Sequence, residues 1–107
     1  MPIDPPPSSG ALNPDPCFKK QARVLKALAH PSRLAVVDRL ARGESSAGEL
    51  AEVAGCKPST MSKHLAILKA HGIVDDRREG TVVWYRLLTP CVTSFFSCTL
   101  AVIRERR

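Results

Sequence analysis

The sequence predicts a mainly α protein with a small β-hairpin, an α+β chain folded as one domain. Three observations carry this expectation. Apolar residues recur at spacings of three and four through five segments, prolines and glycines separate those segments, and one β-branched stretch is interrupted by Gly80. A chain of 107 residues has room for a single core. Aromatic residues make up only 5% of it, so that core must be aliphatic, which suits packed helices.

Residues 1–16 hold six of the nine prolines and nothing periodic to bury, which predicts a disordered or extended arm ahead of a domain spanning residues 17–107. Phe18, Ala22, Leu25, Leu28 and Ala29 then predict a first helix from about Cys17 to Ala29, stopped by His30-Pro31. Pro31 is well placed to open a second helix, about 31 to 42, with Leu34, Val37, Leu40 and Ala41 on one stripe and Gly43 beyond its end. Ser46-Ala47-Gly48-Glu49 matches a capping box, in which each side chain satisfies the other residue's backbone N–H. A third helix over 47–54 follows, with Leu50 and Val53 expected inward.

Gly55-Cys56-Lys57 supplies a tight turn, and Pro58 opens a fourth helix that carries Met61, Leu65 and Leu68 inward and ends near His71-Gly72. Two helices joined by so short a glycine-containing turn form a helix-turn-helix. Ile73 to Arg78 and Thr81 to Leu88 read as two strands around Gly80, a wing beside it. Beyond Pro90 a fifth helix carries Cys91, Val92, Phe95, Phe96, Leu100, Val102 and Ile103, apolar on more than one face, and needs a partner. The whole reads as a winged helix-turn-helix.

The formal charge is +6, and because Asp4 and Asp15 are the only charges before residue 17, the remainder carries +8. A basic surface favours polyanions, whose condensed counterions are released on binding. No acid occurs between Lys57 and Ala70. Ser59, Thr60, Ser62 and Lys63 fall on the outer side of the fourth helix, where hydroxyls and an ammonium can meet base edges or phosphates of double-stranded operator DNA. His64 is open between contacting DNA and packing against the third helix. Arg77 and Arg78 flank the wing turn and can reach a minor groove, or else pair with Asp75, Asp76 and Glu79.

No apolar run is long enough to span a bilayer and no signal-peptide layout opens the chain, so a cytoplasmic protein with no membrane partner is expected. The four cysteines, Cys17, Cys56, Cys91 and Cys98, include no C-x-x-C pair, which argues against a zinc ribbon or thioredoxin-type motif. An enzyme would need a nucleophile, a base and an orienting group around a cleft, and His30, His64 and His71 have no clustered carboxylate partner. A winged helix used only for protein contacts is disfavoured by the acid-free fourth helix.

LKALAHPSRLAVVDRL, followed by GELAEVAGCKPSTMSKHLAILKAHGIVDDRREGTVVWYRL, resembles the ArsR/SmtB family of metal- and stress-responsive repressors over about residues 22 to 88. Ala29-His30-Pro31-Ser32-Arg33, Ser62-Lys63-His64-Leu65 and the wing from Arg78-Glu79-Gly80 to Tyr85 carry it most specifically. The resemblance implies a homodimer joined through the first and fifth helices that occupies a promoter and leaves when its inducer binds.

Two inducer sites of that family are missing from these residues. Glu44 to Ala51 has none of the cysteines of arsenic-type members, and residues 90–103 have neither the Asp nor the His of zinc-type members. Cys91 and Cys98, seven apart, return to one helix face about 10 Å apart, too far for a disulfide within a straight helix. Antiparallel pairing of two fifth helices would bring Cys91 of one subunit toward Cys98 of the other, with Cys17 as a third thiol.

Three thiolates suit a soft inducer such as As(III), Sb(III) or another thiophilic metal ion. Two suit disulfide or polysulfide chemistry. A third alternative is that these are structural cysteines. Cys56, in the turn before the fourth helix, ranks below the others as a sensor. DNA binding itself is expected to need no cofactor.

Overall fold

A computed structural model describes residues 17–105. The proline-rich arm and the last two residues lie outside the described residues. Helix α1 (Phe18–Leu28) is followed by α2 (Pro31–Leu40), a two-residue strand β1 (Ser45–Ser46), α3 (Ala47–Ala54) and α4 (Pro58–Ala70). Strands β2 (Val74–Glu79) and β3 (Val82–Leu87) then lead through a 3-10 turn (Pro90–Thr93) into α5 (Ser94–Glu105).

The local signals act as their chemistry requires. Pro31 and Pro58 stand in the first turns of α2 and α4, where their missing N–H costs nothing. The Ser46 hydroxyl accepts from the Glu49 N–H at 3.2 Å, and the Glu49 carboxylate accepts from the Ser46 N–H at 3.3 Å, closing the capping box of α3. A second hydroxyl, on buried Ser45, donates to the same carboxylate at 3.0 Å. These hydrogen bonds, that from Ser45 foremost, hold the Glu49 pKa below its usual value. Gly55 ends α3 at φ +70°, a left-handed conformation that a Cβ would strain.

Val36, Val37, Leu40, Leu50, Met61, Leu65, Leu68, Ile73 and Val74 form the core, so α2, α3, α4 and the base of the wing share one apolar centre. Val36 joins Val37 inside because consecutive positions on α2 are both covered. Val53, expected inward, is 49% exposed, because the last turn of α3 meets the core through Ala51 and Ala54 instead. On α1 only Ala27 and Leu28 are buried, whereas Phe18 and Leu25 of the anticipated stripe face out. No residue of α5 is buried in this chain.

The sheet has three strands in the order β1-β3-β2, all antiparallel. Glu79 pairs with Val82, leaving Gly80-Thr81 as a two-residue loop with Gly80 at φ +64°. The added strand β1 pairs Ser45 with Tyr85 and Ser46 with Trp84. It is too short to show any sequence periodicity.

The fifth helix begins later than expected. Cys91 lies in the 3-10 turn, not in α5, and the tighter winding stretches its axial separation from Cys98 to about 12 Å along a common axis.

Candidate nucleic-acid interface

Met61, Leu65 and Leu68 anchor α4 to the core, and this fixes which side of the helix faces out. Ser59, Thr60, Ser62 and Lys63 are exposed on that outer side. Pro58 carries no N–H, and no side chain caps the first turn, so the backbone N–H groups that follow remain free to meet an anion. Hydroxyl donors, an ammonium and a positive helix end converge there without a competing carboxylate.

His64 lies on the other side. It is 8% exposed, its ring lies tilted by 49° against that of His30 with centroids 4.4 Å apart, and its Nδ1 lies 3.1 Å from Nη1 of Arg33. A guanidinium only donates, so His64 Nδ1 accepts and the ring is the neutral tautomer protonated at Nε2. Burial first, then the neighbouring His30 and Arg33, push its pKa below the usual histidine value. His64 is therefore a largely buried packing residue, and it packs on the start of α2, not on α3. Arg33 also donates from Nε to the carbonyl of Ala27, tying the end of α1 to α2 and α4 through one side chain.

The wing arginines differ from each other. Nη1 of Arg77 donates to both carboxylate oxygens of Glu44 at 3.1 Å, and Glu79 lies 3.9 Å from its other terminal nitrogen. Among the described residues Arg78 makes no ion pair and is exposed. Asp75 and Asp76, foreseen as partners of these arginines, pair instead with Arg86 at 3.4 Å and Lys69 at 2.9 Å. The Asp76 contact raises the Lys69 pKa.

Exposed pairs of this kind stabilise by about 0–1 kcal/mol. Arg78→Ala is accordingly expected to weaken binding to a duplex of the upstream promoter region more than Arg77→Ala, because Arg77 must first leave Glu44. Fluorescence anisotropy at one salt concentration checks this, and equal losses would count against it.

The cysteines occupy separate places. Cys17 caps α1 at φ +49°, half-buried, and accepts from Nε2 of Gln21 at 3.7 Å. Cys56 is half-buried against the core beneath the turn before α4. Cys91 and Cys98 are exposed. Among the described residues no three His, Cys, Asp or Glu side chains gather to hold a metal ion, so the thiolate set of Cys17, Cys91 and Cys98 does not assemble within one chain. Beside α5 runs an apolar groove of about 460 Å³, lined among others by Leu25, Leu28, Leu34, Phe95, Phe96 and Ile103.

No helix of the described residues is long and apolar enough to cross a membrane. Residues 28–77 match the helix-turn-helix domain family. Over 90 residues the chain is 41% identical to a biofilm growth-associated repressor of Agrobacterium fabrum, covering 80% of this chain and 76% of that protein. The homodimeric winged helix-turn-helix DNA-binding domain Mb0332 of Mycobacterium bovis, described as a possible ArsR-family transcriptional regulator, is 34% identical with a TM-score of 0.68. That comparison covers 98% of this chain and 93% of the other. The transcriptional repressor BigR of Xylella fastidiosa is also 34% identical, with a TM-score of 0.70 over 80% of this chain and 88% of that one. With a helix-turn-helix and a braced wing, the chain belongs to the ArsR/SmtB-type family of winged helix-turn-helix transcriptional regulators.

Proposed function

We propose that this chain is a homodimeric repressor that covers operator DNA with α4 and the wing, and that it is released by thiol chemistry at Cys91 and Cys98. The acid-free outer side of α4 carries the first half of this reading, with Ser59, Thr60, Ser62 and Lys63 turned away from the core. Phosphate contacts set the register and side-chain contacts to base edges select the sequence.

Dimerisation through α1 and α5 is supported by the apolar groove between them and by Phe95, Leu100, Val102 and Ile103, each at least 46% exposed. Two recognition helices fit successive major grooves only when about 34 Å apart, so a small rotation at that interface releases DNA. By linkage, DNA weakens inducer binding by the same factor.

Cys91 and Cys98 are accessible and sit beside the surface a second subunit would cover. A soft ion such as As(III) or Sb(III) prefers three thiolates, which here would have to come from two subunits, with Cys17 completing the set. The second reading needs only Cys91 of one subunit and Cys98 of its partner: peroxide or polysulfide takes two electrons from the two thiols, two protons leave, and one S–S bond forms.

One titration separates them. Fully reduced protein bound to its promoter fragment is treated with arsenite, antimonite, cadmium, peroxide or polysulfide while anisotropy is followed, and the titration is repeated with Cys91→Ser and Cys98→Ser. Release by arsenite or a soft metal, abolished in both variants, is the expected outcome for metal(loid) sensing, and release by oxidants alone selects the disulfide. Release that persists in both variants would sink the thiol reading altogether.

A further inference from the structure

The two sides of α1 have different chemistry. Leu25 and Leu28 line the apolar groove against α5, whereas Arg23 and Lys26 open onto a second cavity of about 300 Å³ together with Ala27, Arg33, Ile67 and His71. No carboxylate lines that cavity. Helix α1 holds Lys19, Lys20, Arg23 and Lys26 and no acid at all, and none of the four takes part in an ion pair among the described residues. Lys19, Arg23 and Lys26 follow one another at spacings of four and three, so they form a single basic stripe down the helix. Arg33 is already held in place by the Ala27 carbonyl and His64, which makes it a fixed positive wall.

The cavity reaches α4 through Ile67 and, just past the end of that helix, through His71. Lys63, Ile67 and His71 are successive positions four apart and share one helix face, with about 12 Å of rise between the first and the last. A backbone that passes the exposed Lys63 therefore finds further cations along the same line.

We propose that Arg23 and Lys26, backed by Arg33, form a second phosphate site that takes the operator backbone beyond the end of the recognition helix. The inference rests on the reading of α4 as the DNA-facing helix. It adds α1 to the DNA-contacting elements and assigns it no part in choosing sequence, because phosphate contacts carry no base information.

The test compares wild type, Arg23→Gln/Lys26→Gln, the charge-conserving Arg23→Lys/Lys26→Arg, and Lys63→Gln. Each full-length protein is titrated with the promoter duplex and with a shuffled duplex across a range of salt concentrations. The glutamine pair is expected to weaken both duplexes equally and to flatten the dependence of log K on log salt by about one to two, near 0.9 for each phosphate no longer neutralised. The charge-conserving pair keeps the wild-type slope. Sedimentation of the same samples reports assembly.

An unchanged slope in the glutamine pair overturns the proposal, as does a slope that falls only because that variant no longer dimerises. Calorimetry with inorganic pyrophosphate tells the two phosphate sources apart. If the glutamine pair loses pyrophosphate binding and keeps duplex binding, the cavity serves a free anion and the proposal fails. If Lys63→Gln leaves duplex affinity intact while the glutamine pair loses it, the reading of α4 fails and the α1 site stands.

Discussion

Leu68→Ala is expected to lower the free energy of unfolding by about 2–5 kcal/mol, the range seen when a fully enclosed leucine is cut back to its Cβ. Leu68 has no exposed surface and lies on the face of α4 that meets the core built from α2, α3 and the wing base. Its neighbours belong to separate elements, and none can close the cavity without breaking another contact. Against a typical total of about 5–15 kcal/mol, such a loss removes a large share of the stability, and where the total is near the low end it leaves a large fraction of molecules unfolded near 37 °C. DNA binding would be lost although no DNA-facing residue has changed. Urea denaturation of reduced protein, at one fixed protein concentration because association feeds into apparent stability, measures it. A loss below about 1 kcal/mol would mean that the site collapses around the gap.

The second large effect centres on Arg33 and His64. Arg33→Ala removes the donor to the Ala27 carbonyl and leaves buried His64 Nδ1 without a partner. Each unsatisfied buried group costs about 1–3 kcal/mol, so the two together approach the cost of a core leucine. The same pair makes stability depend on pH. His64 is held neutral by burial and by its cationic neighbour, with a pKa below the ordinary value. In the unfolded chain it takes a proton near pH 6.5.

Below that pH the unfolded state binds more protons than the folded one, so stability falls as pH falls. The contribution is fully present above about pH 6.5 and is lost on acidification through the lowered folded pKa. Melting temperature should drop between pH 7.5 and 5.5 in wild type and stay nearly level in His64→Gln, which offers Arg33 an acceptor that does not titrate. Equal slopes in the two proteins would assign the pH dependence elsewhere.

His64 also shows where sequence reading ran out. Its neighbour Leu65 is buried and Lys63 is exposed, so the helical pattern leaves position 64 at the margin of the two faces. What decides it is Arg33, 31 residues away, and no local pattern carries that contact. Elements with local stereochemical causes were legible: Pro31 and Pro58 at helix starts, the Ser46–Glu49 capping box, and Gly80 in the wing turn.

Elements that depend on a partner segment were not. Strand β1 exists because Trp84 and Tyr85 bring an edge to Ser45 and Ser46, two serines with little strand propensity of their own. The apolar stripe of α5 was legible together with its need for a partner, whereas the pattern of α1 did not say that Phe18 and Leu25 face out, since the periodicity of a helix is the same whether its cover comes from its own chain or from another. Likewise, the spacing of Arg77 from Asp75, Asp76 and Glu79 suggested local pairs, of which only that with Glu79 forms, while the shorter contact comes from Glu44, 33 residues away.

Ser46 belongs to two elements at once: it hydrogen-bonds in the sheet opposite Trp84 and caps the first turn of α3. The wing is thereby joined to the helix-turn-helix at its root by hydrogen bonds that DNA binding leaves intact. In the homodimeric repressor proposed above, each half consequently behaves as a caliper with fixed jaws. The offset between what the recognition helix touches and what the wing tip touches is a constant of the subunit, not a hinge angle that DNA can adjust. Inserting one base pair between those two points within a half-site leaves one jaw off its mark, whereas a change between half-sites is met by the separate compliance of whatever joins the subunits.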